Sequence, residues 1–425
     1  MTTLTQAIKH QRIKEISPTR KIVFGVIEIL IAVLIFFAFI RTTESKFLTT
    51  FVMTPGGTTL GKAGDWVLQT QLTLWILAIA SFVVGLFQAV KGFGRFTNGV
   101  LGLVAVFLIF CFLTWQAGNK SLNLAGMISS SVTLSVPIIL GAFSGVLCER
   151  SGVVNIAIEG MMLMAAMVAA LVGSITHSLW IGLLVAILSS VVLAGAHAIL
   201  SIKYKINQII SGTVINIFAT GLTSFLSQKF LQPHQELNNP GMFARFPIPG
   251  LANIPVLGPI LFNANIFVYA MIVLLIILQV ALFSTRWGLR LRSVGEHPKA
   301  ADTLGINVFK TRYMAVLLGG VVAGIAGAYF TLGSVGRFDE GMTAGKGFIG
   351  LAAMIFGNWT PLGAVGAGLI FGFADAIGSK LSLLGSAIPA EFMAMAPYLI
   401  TMIVLAGFIG KGQMPAADGE PYTKE

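Results

Sequence analysis

Charge is what this sequence has least of. Only 10% of its 425 residues are Asp, Glu, Lys or Arg, where an ordinary soluble domain carries about 25%. So few charges cannot cover a soluble surface of this size. The scarcity argues against a large water-soluble core and for a surface that meets lipid. Cysteine is nearly absent: Cys111 and Cys148 form no metal or redox motif and read as buried thiols. No glycine–lysine phosphate loop of the Walker A kind occurs. The histidines show no metal-ligand spacing, and no nucleophile–base pair stands out. There is no Gly-X-Y period, so the 48 glycines fit close helix packing in a membrane better than collagen.

Apolar length is what the chain has instead. The first run, KIVFGVIEILIAVLIFFAFI, follows a basic stretch and has no small-residue cleavage site after it. It is expected to be a retained helix whose one internal charge is Glu28. Further runs cover about 67–90, 97–116, 126–147, 154–174, 178–200, 207–228, 265–284, 313–332, 346–357, 361–379 and 392–410. A crossing needs about 20 residues. The run at 346–357 is too short and the one at 361–379 is glycine-rich, so these two are expected either as full crossings or as a broken pair shielded by protein. The expected fold is an all-α polytopic membrane protein with about 10–12 spans.

The expected organisation is a cytoplasmic segment at 1–21, N-terminal transmembrane helices at 22–125, and a core at 126–410. The core carries a long internal loop at 285–312, and a cytoplasmic tail at 411–425 follows. With the N-terminus inside, twelve crossings return the C-terminus to the cytoplasm. That arrangement places 18 of the 27 Lys and Arg residues inside, as the positive-inside bias favours.

Two constellations stand out. In the loop 285–312, Pro298 suits the first turn of a helix and Gly305 its end. A helix of about two turns is too short to persist alone, so it is expected to pack on its own chain or on a partner. In CERSGVVNIAIEGMM, Asn155 and Glu159 are four residues apart and are expected on one helix face. An acid in an apolar run is costly unless it meets a cavity or a partner. Glu159 therefore reads either as a pathway or gating residue or as a polar contact between helices. Asn216 is expected to share a polar stripe with Ser211 and Thr220, and Asp375 lies deep in an apolar stretch. Gly320, Gly324, Gly368 and Gly372 are expected as packing positions.

The stretches ERSGVVNIAIEGMM, TRWGLRLRSVGEHPKAADTLGINVFKTRYMAVLLGGVVAGIAGAY, GMTAGKGFIGLAAMIFGNWTPLGA and FGFADAI closely resemble bacterial ABC importer permeases for nucleosides and simple sugars. The resemblance covers about 130–410 and is nearest to the nucleoside branch, which works with a basic membrane lipoprotein-type binding protein. The tail PAADGEPYTKE also looks like this branch. The resemblance implies a type II-like permease in a bacterial cell membrane. It implies a heterodimer with a paralogous permease, a cytoplasmic ABC ATPase and an extracytoplasmic substrate-binding lipoprotein. It implies no cofactor on this chain, with ATP and Mg on the ATPase. The coupling helix then falls at Glu296, His297, Pro298, Lys299, Ala300, Ala301, Asp302 and Gly305. Asn155, Glu159, Asn216 and Asp375 remain candidates for the pathway or gate. A sugar such as ribose or galactose is the alternative cargo, and an ion-coupled secondary transporter using Glu159 and Asp375 is the alternative class.

Overall fold

The computed structural model describes residues 18–383, 395 and 413–424. Among these residues, ten helices are long and apolar enough to cross a membrane. The expected final run, 392–410, lies outside the described residues apart from Met395. The chain divides into two compact units, one of Met1–Gly56 with Lys62–Ala125 and one of Gly57–Gly61 with Gly126–Glu425.

In the first unit, helix α1 (Pro18–Leu34) continues as a wider helix through Ile40, and α2 (Thr70–Val90) and α3 (Thr97–Gln116) follow. Ile35, Phe39, Ile40, Leu74, Ala78 and Cys111 form its core, with Phe112 and Trp115 against it. A small sheet that was not legible in the sequence joins its connections. Strand β1 (Leu48–Val52) pairs antiparallel with β2 (Trp66–Gln69), Thr50 opposite Val67, and parallel with β3 (Ser121–Asn123), Thr50 opposite Ser121. Buried Thr49 fixes this sheet to the helices by donating to the Thr114 carbonyl at 2.9 Å.

The second unit begins on α4 (Leu124–Glu149) and continues with α5 (Ile158–Thr176), α6 (Leu179–Ala198), α7 (Gln208–Leu226) and α8 (Ile266–Ser284). Two short helices, α9 (Arg286–Glu296) and α10 (Pro298–Thr303), precede α11 (Val308–Ala328). The described helices close with α12 (Lys346–Phe356) and α13 (Pro361–Leu383). The most buried spans are α4, α5 and α11. Around them, α6, α7 and α8 keep apolar faces exposed, including Leu184, Val192, Ile217 and Ile276, as a surface meeting lipid or an apolar partner requires.

Small residues set the helix spacing. A methyl group added at Gly320 or Gly324 of α11 would collide with Ala194 or Ile187 of α6. One at Gly368 or Gly372 of α13 would collide with Ile139 or Ser131 of α4. The fold is all-α and multi-pass, with small sheets confined to connections.

Helix α12 is shorter than a membrane crossing. Its eleven residues span about 16 Å, roughly half of the hydrocarbon thickness. Gly347 abuts Glu159 and Gly350 abuts Gly141, while the turn after α12 reaches Glu149 and Arg150. The segment before it, around 337–345, carries no helix. Its one turn of freedom comes from Gly341 and Gly345, both at positive φ.

Candidate translocation and coupling site

Chain that is buried between helices without being helical must find partners for its backbone. Residues 150–157 do this between α4 and α5. They fold back from the end of α4 so that Ile158 lies against Gly141, eight residues or about 12 Å along α4 from Glu149. Side chains from three other helices hold this stretch. Gln208 accepts from the Val154 N–H at 2.6 Å, and His197 meets the Val154 carbonyl at 2.9 Å. The Asn216 amide donates to the Ile156 carbonyl at 2.9 Å and accepts from the Gly160 N–H at 2.8 Å. Arg312 donates to the Ser151 carbonyl at 3.2 Å. Asn216 thereby satisfies one of the orphan N–H groups at the start of α5.

Glu159 stands on the second residue of α5 and reaches the start of α12. Its carboxylate accepts from Thr343 Oγ1 at 2.6 Å, from Gly345 N at 2.9 Å and from Gly347 N at 2.6 Å. An acid from one helix thus caps the N-terminus of another, where unpaired N–H groups and the helix dipole both favour it. Gly347 is required for this approach, because a Cβ there would lie 2.7 Å from the Glu159 Cα. One residue earlier, Lys346 forms an ion pair with Asp375 of α13. Glu159, Asn216 and Asp375 are therefore drawn together around the paired starts of α5 and α12.

Asn155 does not join them. Helix α5 starts only at Ile158, so Asn155 lies in the folded-back segment and the expected shared helix face with Glu159 does not exist. Its amide instead donates to Cys148 Sγ at 3.4 Å. The stripe expected from Ser211, Asn216 and Thr220 is also divided. Ser211 is buried against His197, Thr220 is exposed, and Asn216 serves α5.

At the far end of α12 the turn is strained and held. Asn358 and Trp359 both adopt left-handed backbone, with φ of 53° and 52°. Arg150 donates to both their carbonyls, at 3.2 and 2.8 Å. The Trp359 indole donates to Glu149 Oε2 at 2.6 Å. These partners fix a conformation that the two residues would otherwise avoid.

The segment 286–305 lies at this same end. Thr285 caps α9 by accepting from Gly288 N at 3.1 Å. Gly295 packs so tightly that a Cβ would lie 2.3 Å from the Arg150 carbonyl oxygen. His297 caps α10 through Nδ1, Pro298 opens it, and Gly305 follows it at φ 80°. Glu296, His297, Lys299 and Ala300 are exposed and Asp302 is half-buried. Ala301 is only 2% exposed and packs with Val294, Val308 and Tyr422. It faces its own chain and is not offered to a partner groove. The projecting residue is Leu304, 81% exposed at the tip of the loop. The local signal for it is an apolar residue just before a helix-ending glycine in a polar loop.

At the opposite end, a cavity of about 420 Å³ is lined by Ser129, Thr133, Arg245, Asn263 and Asn265 among others. Hydroxyls and amides dominate its polar groups. Among the described residues, no three His, Cys, Asp or Glu side chains gather as a metal set, and Cys111 and Cys148 are both free thiols.

Residues 127–406 match the family described as branched-chain amino acid transport system, permease component. The match begins where the second unit begins. The chain is 41% identical over 308 residues to the guanosine ABC transporter permease protein NupQ of Bacillus subtilis, covering 70% of this chain and 96% of the relative. It is 40% identical over 313 residues to the nucleoside ABC transporter permease protein NupC of Lactococcus lactis, again covering 70% and 96%. It is 33% identical over 326 residues to the putative glucose ABC transporter permease protein TsgC13 of Haloferax volcanii, covering 71% and 98%. No solved structure matches it. As a permease subunit it is a translocation component for small polar solutes, in an importer whose ATP hydrolysis and Mg belong to a separate subunit. The chain belongs to this permease family and is a bacterial-type ABC-importer permease homologous to nucleoside transport permeases.

Proposed function

We propose that this chain forms the membrane path for a nucleoside in an ATP-driven importer of a bacterial cell membrane. The observation that carries the nucleoside is the 41% and 40% identity to NupQ and NupC over nearly their whole lengths, against 33% to the glucose-named relative. A nucleoside is polar and uncharged. Hydroxyls and amides such as those of Ser129, Thr133 and Asn263 can replace its hydrogen bonds to water as it enters. The 33% relative keeps a simple sugar as the second reading, since the same groups would serve its hydroxyls.

In this reading the 285–312 loop and both termini are cytoplasmic, supported by the distribution of 18 of 27 basic residues. The ATPase docks on α10 with Leu304 as the knob that enters its groove, flanked by His297, Lys299 and Ala300. A paralogous permease covers part of the exposed apolar surface. The substrate-binding lipoprotein meets the 229–264 side, where a polar cleft of about 710 Å³ is lined by Gln232, Glu236, Arg337, Asp339 and Glu340 among others. Glu159, Asn216 and Asp375 hold the gate at the start of α12, and Asn155 supports the folded-back segment beside it.

Reconstitution of the assembled complex with binding protein and ATP, offered labelled nucleosides and sugars, tests this. Nucleoside uptake that requires ATP and survives collapse of proton and sodium gradients is expected. Uptake of sugars alone shifts the assignment to the second reading, and gradient-driven uptake without the ATPase overturns it. Orientation is read separately in intact cells. A cysteine at the exposed Asn239 is expected to react with an impermeant thiol reagent and one at Lys299 is not, and the reverse pattern refutes the orientation.

A further inference from the structure

A polar tail at a chain end normally frays, because little apolar area and few hydrogen bonds hold it. The segment 413–424 has no regular secondary structure apart from turns, yet it is tied down along its length. The Gln413 N–H donates to Asn358 Oδ1 at 2.8 Å, in the strained turn after α12. Ala416 N donates to Glu296 Oε2 at 3.2 Å and Ala417 N to the Gly295 carbonyl at 2.9 Å, both at the junction of α9 and α10. Arg312, only 2% exposed, donates to the Glu420 carbonyl at 2.8 Å while also holding Ser151. The Tyr422 ring is buried in a cluster with Val294, Ala301 and Val308, and its centroid lies 5.3 Å from that of Phe309. Lys424 approaches Asp302 at 3.8 Å, an exposed pair that adds little.

These contacts reach two places of different kind. One end of the tail touches the turn that follows α12. The other packs beneath α10, against Ala301. Buried Ala301 is the residue of α10 on which the tail sits.

We propose that residues 413–424 are a positioning strap, in which Tyr422 seats α10, the Ala416 and Ala417 amides hold the α9–α10 junction and the Gln413 amide reaches the turn at Asn358, so that displacement of α10 by the ATPase is passed to α12. This rests on the reading that α10 is the ATPase-docking segment. Coupling needs two elements that move together through packed, hydrogen-bonded contacts. The strap supplies such contacts between elements some 55 residues apart in sequence, Thr303 and Asn358. Tyr422 is a positioning residue and touches no substrate.

The test uses the full complex with binding protein. Tyr422→Ala, Tyr422→Phe and a chain ending at Gln413 are compared for ATPase co-purification, ATP hydrolysis and solute moved per ATP. Tyr422→Ala and the shortened chain are expected to keep the ATPase and hydrolyse ATP, but to move about tenfold less solute per ATP, the scale of a typical coupling between sites. Tyr422→Phe keeps the ring and is expected to match wild type. An unchanged transport-to-hydrolysis ratio in Tyr422→Ala overturns the strap. Leu304→Asp separates this from the underlying reading: if it leaves ATPase association intact, the docking assignment fails whatever the tail variants show. Hydrogen exchange on the wild-type complex is independent of any variant's folding. The Ala416 and Ala417 amides are expected to exchange slowly, and exchange at free-peptide rates overturns the proposal.

Discussion

The carboxylate of Glu159 accepts the backbone N–H of Gly347 at 2.6 Å, so the second residue of α5 serves as the cap of α12. The sequence offered Glu159 two roles, gate residue or helix contact, and this geometry shows the helix contact. The contact is between helices, and one of those helices is the short α12. Displacing α12 must break it or carry α5 along.

Glu159→Gln keeps the shape but turns an NH2 toward N–H donors. One of the Thr343, Gly345 and Gly347 bonds then loses its acceptor, at about 1–3 kcal/mol for a buried donor left unsatisfied. The purified chain is expected to melt at lower temperature, and transport per molecule is expected to fall. Wild-type melting and wild-type transport together would remove Glu159 from the gate.

Lys346 and Asp375 pair with side chains only 20% and 17% exposed. Removing one partner strands the other charge where solvation is poor, whereas removing both leaves neutral groups. Lys346→Gln and Asp375→Asn are each expected to lower the yield of membrane-inserted chain several-fold, and the double variant to recover most of it. Yields that fall further in the double variant would show that the two groups act apart. Transport by the recovered double variant then reports whether the pair has a role beyond packing.

How far the fold could be read in advance follows from which signals survive in one dimension. Apolar runs report membrane-length helices directly, and the short run at 346–357 reported a short helix. The same averaging hid the folded-back segment 150–157: its GVVNI is apolar enough to merge with α5, so Asn155 was placed on a helix that begins three residues later. The strands of the first unit are three to five residues long, drawn from polar connections, and carry too little period to register. Pro298 and Gly305 marked the ends of α10 correctly, but not which side of so short a helix faces in. That was decided by Tyr422, more than a hundred residues away, and long-range partners of this kind leave no local trace. Arg312 and Trp359 escaped notice for the same reason, since each looks like an interfacial residue until its partner is known.

Leu304 and Ala301 make opposite predictions on one short helix. Leu304→Asp places a charge on an exposed knob, so the chain is expected to insert and melt normally while ATPase association drops about tenfold or more, as for loss of a central apolar anchor. Ala301→Trp forces a large ring into a filled cluster with Val294, Val308 and Tyr422. It is expected to loosen the tail and lower stability by roughly 1–3 kcal/mol, with any loss of ATPase binding secondary to that. A normal melt in Ala301→Trp with selective loss of ATPase binding would reverse the assignment of the two faces.

The tail is also expected to respond to pH. Burial pushes the Asp418 carboxyl up from its ordinary value of 3.8 to about 7, against the opposing pull of Glu149, the Gly419 backbone and Arg312. The groups that face it are Cys148 and Glu149 from α4 and Arg312 from α11. Released into water, Asp418 titrates near its ordinary value, so between the two values the docked tail holds a proton that the free tail does not. Docking is therefore strongest at low pH, weakens as pH rises from about 4 to about 7, and levels off above that. A spin label at exposed position Thr423 reads the change as mobility. It is expected to be less mobile at about pH 5.5 than at about pH 7.5, and Asp418→Asn is expected to flatten the difference while leaving the tail docked. Equal mobility at both pH values in the wild-type chain would show that Asp418 does not titrate on docking. A pH difference that persists in Asp418→Asn would move the titration to another group on this face.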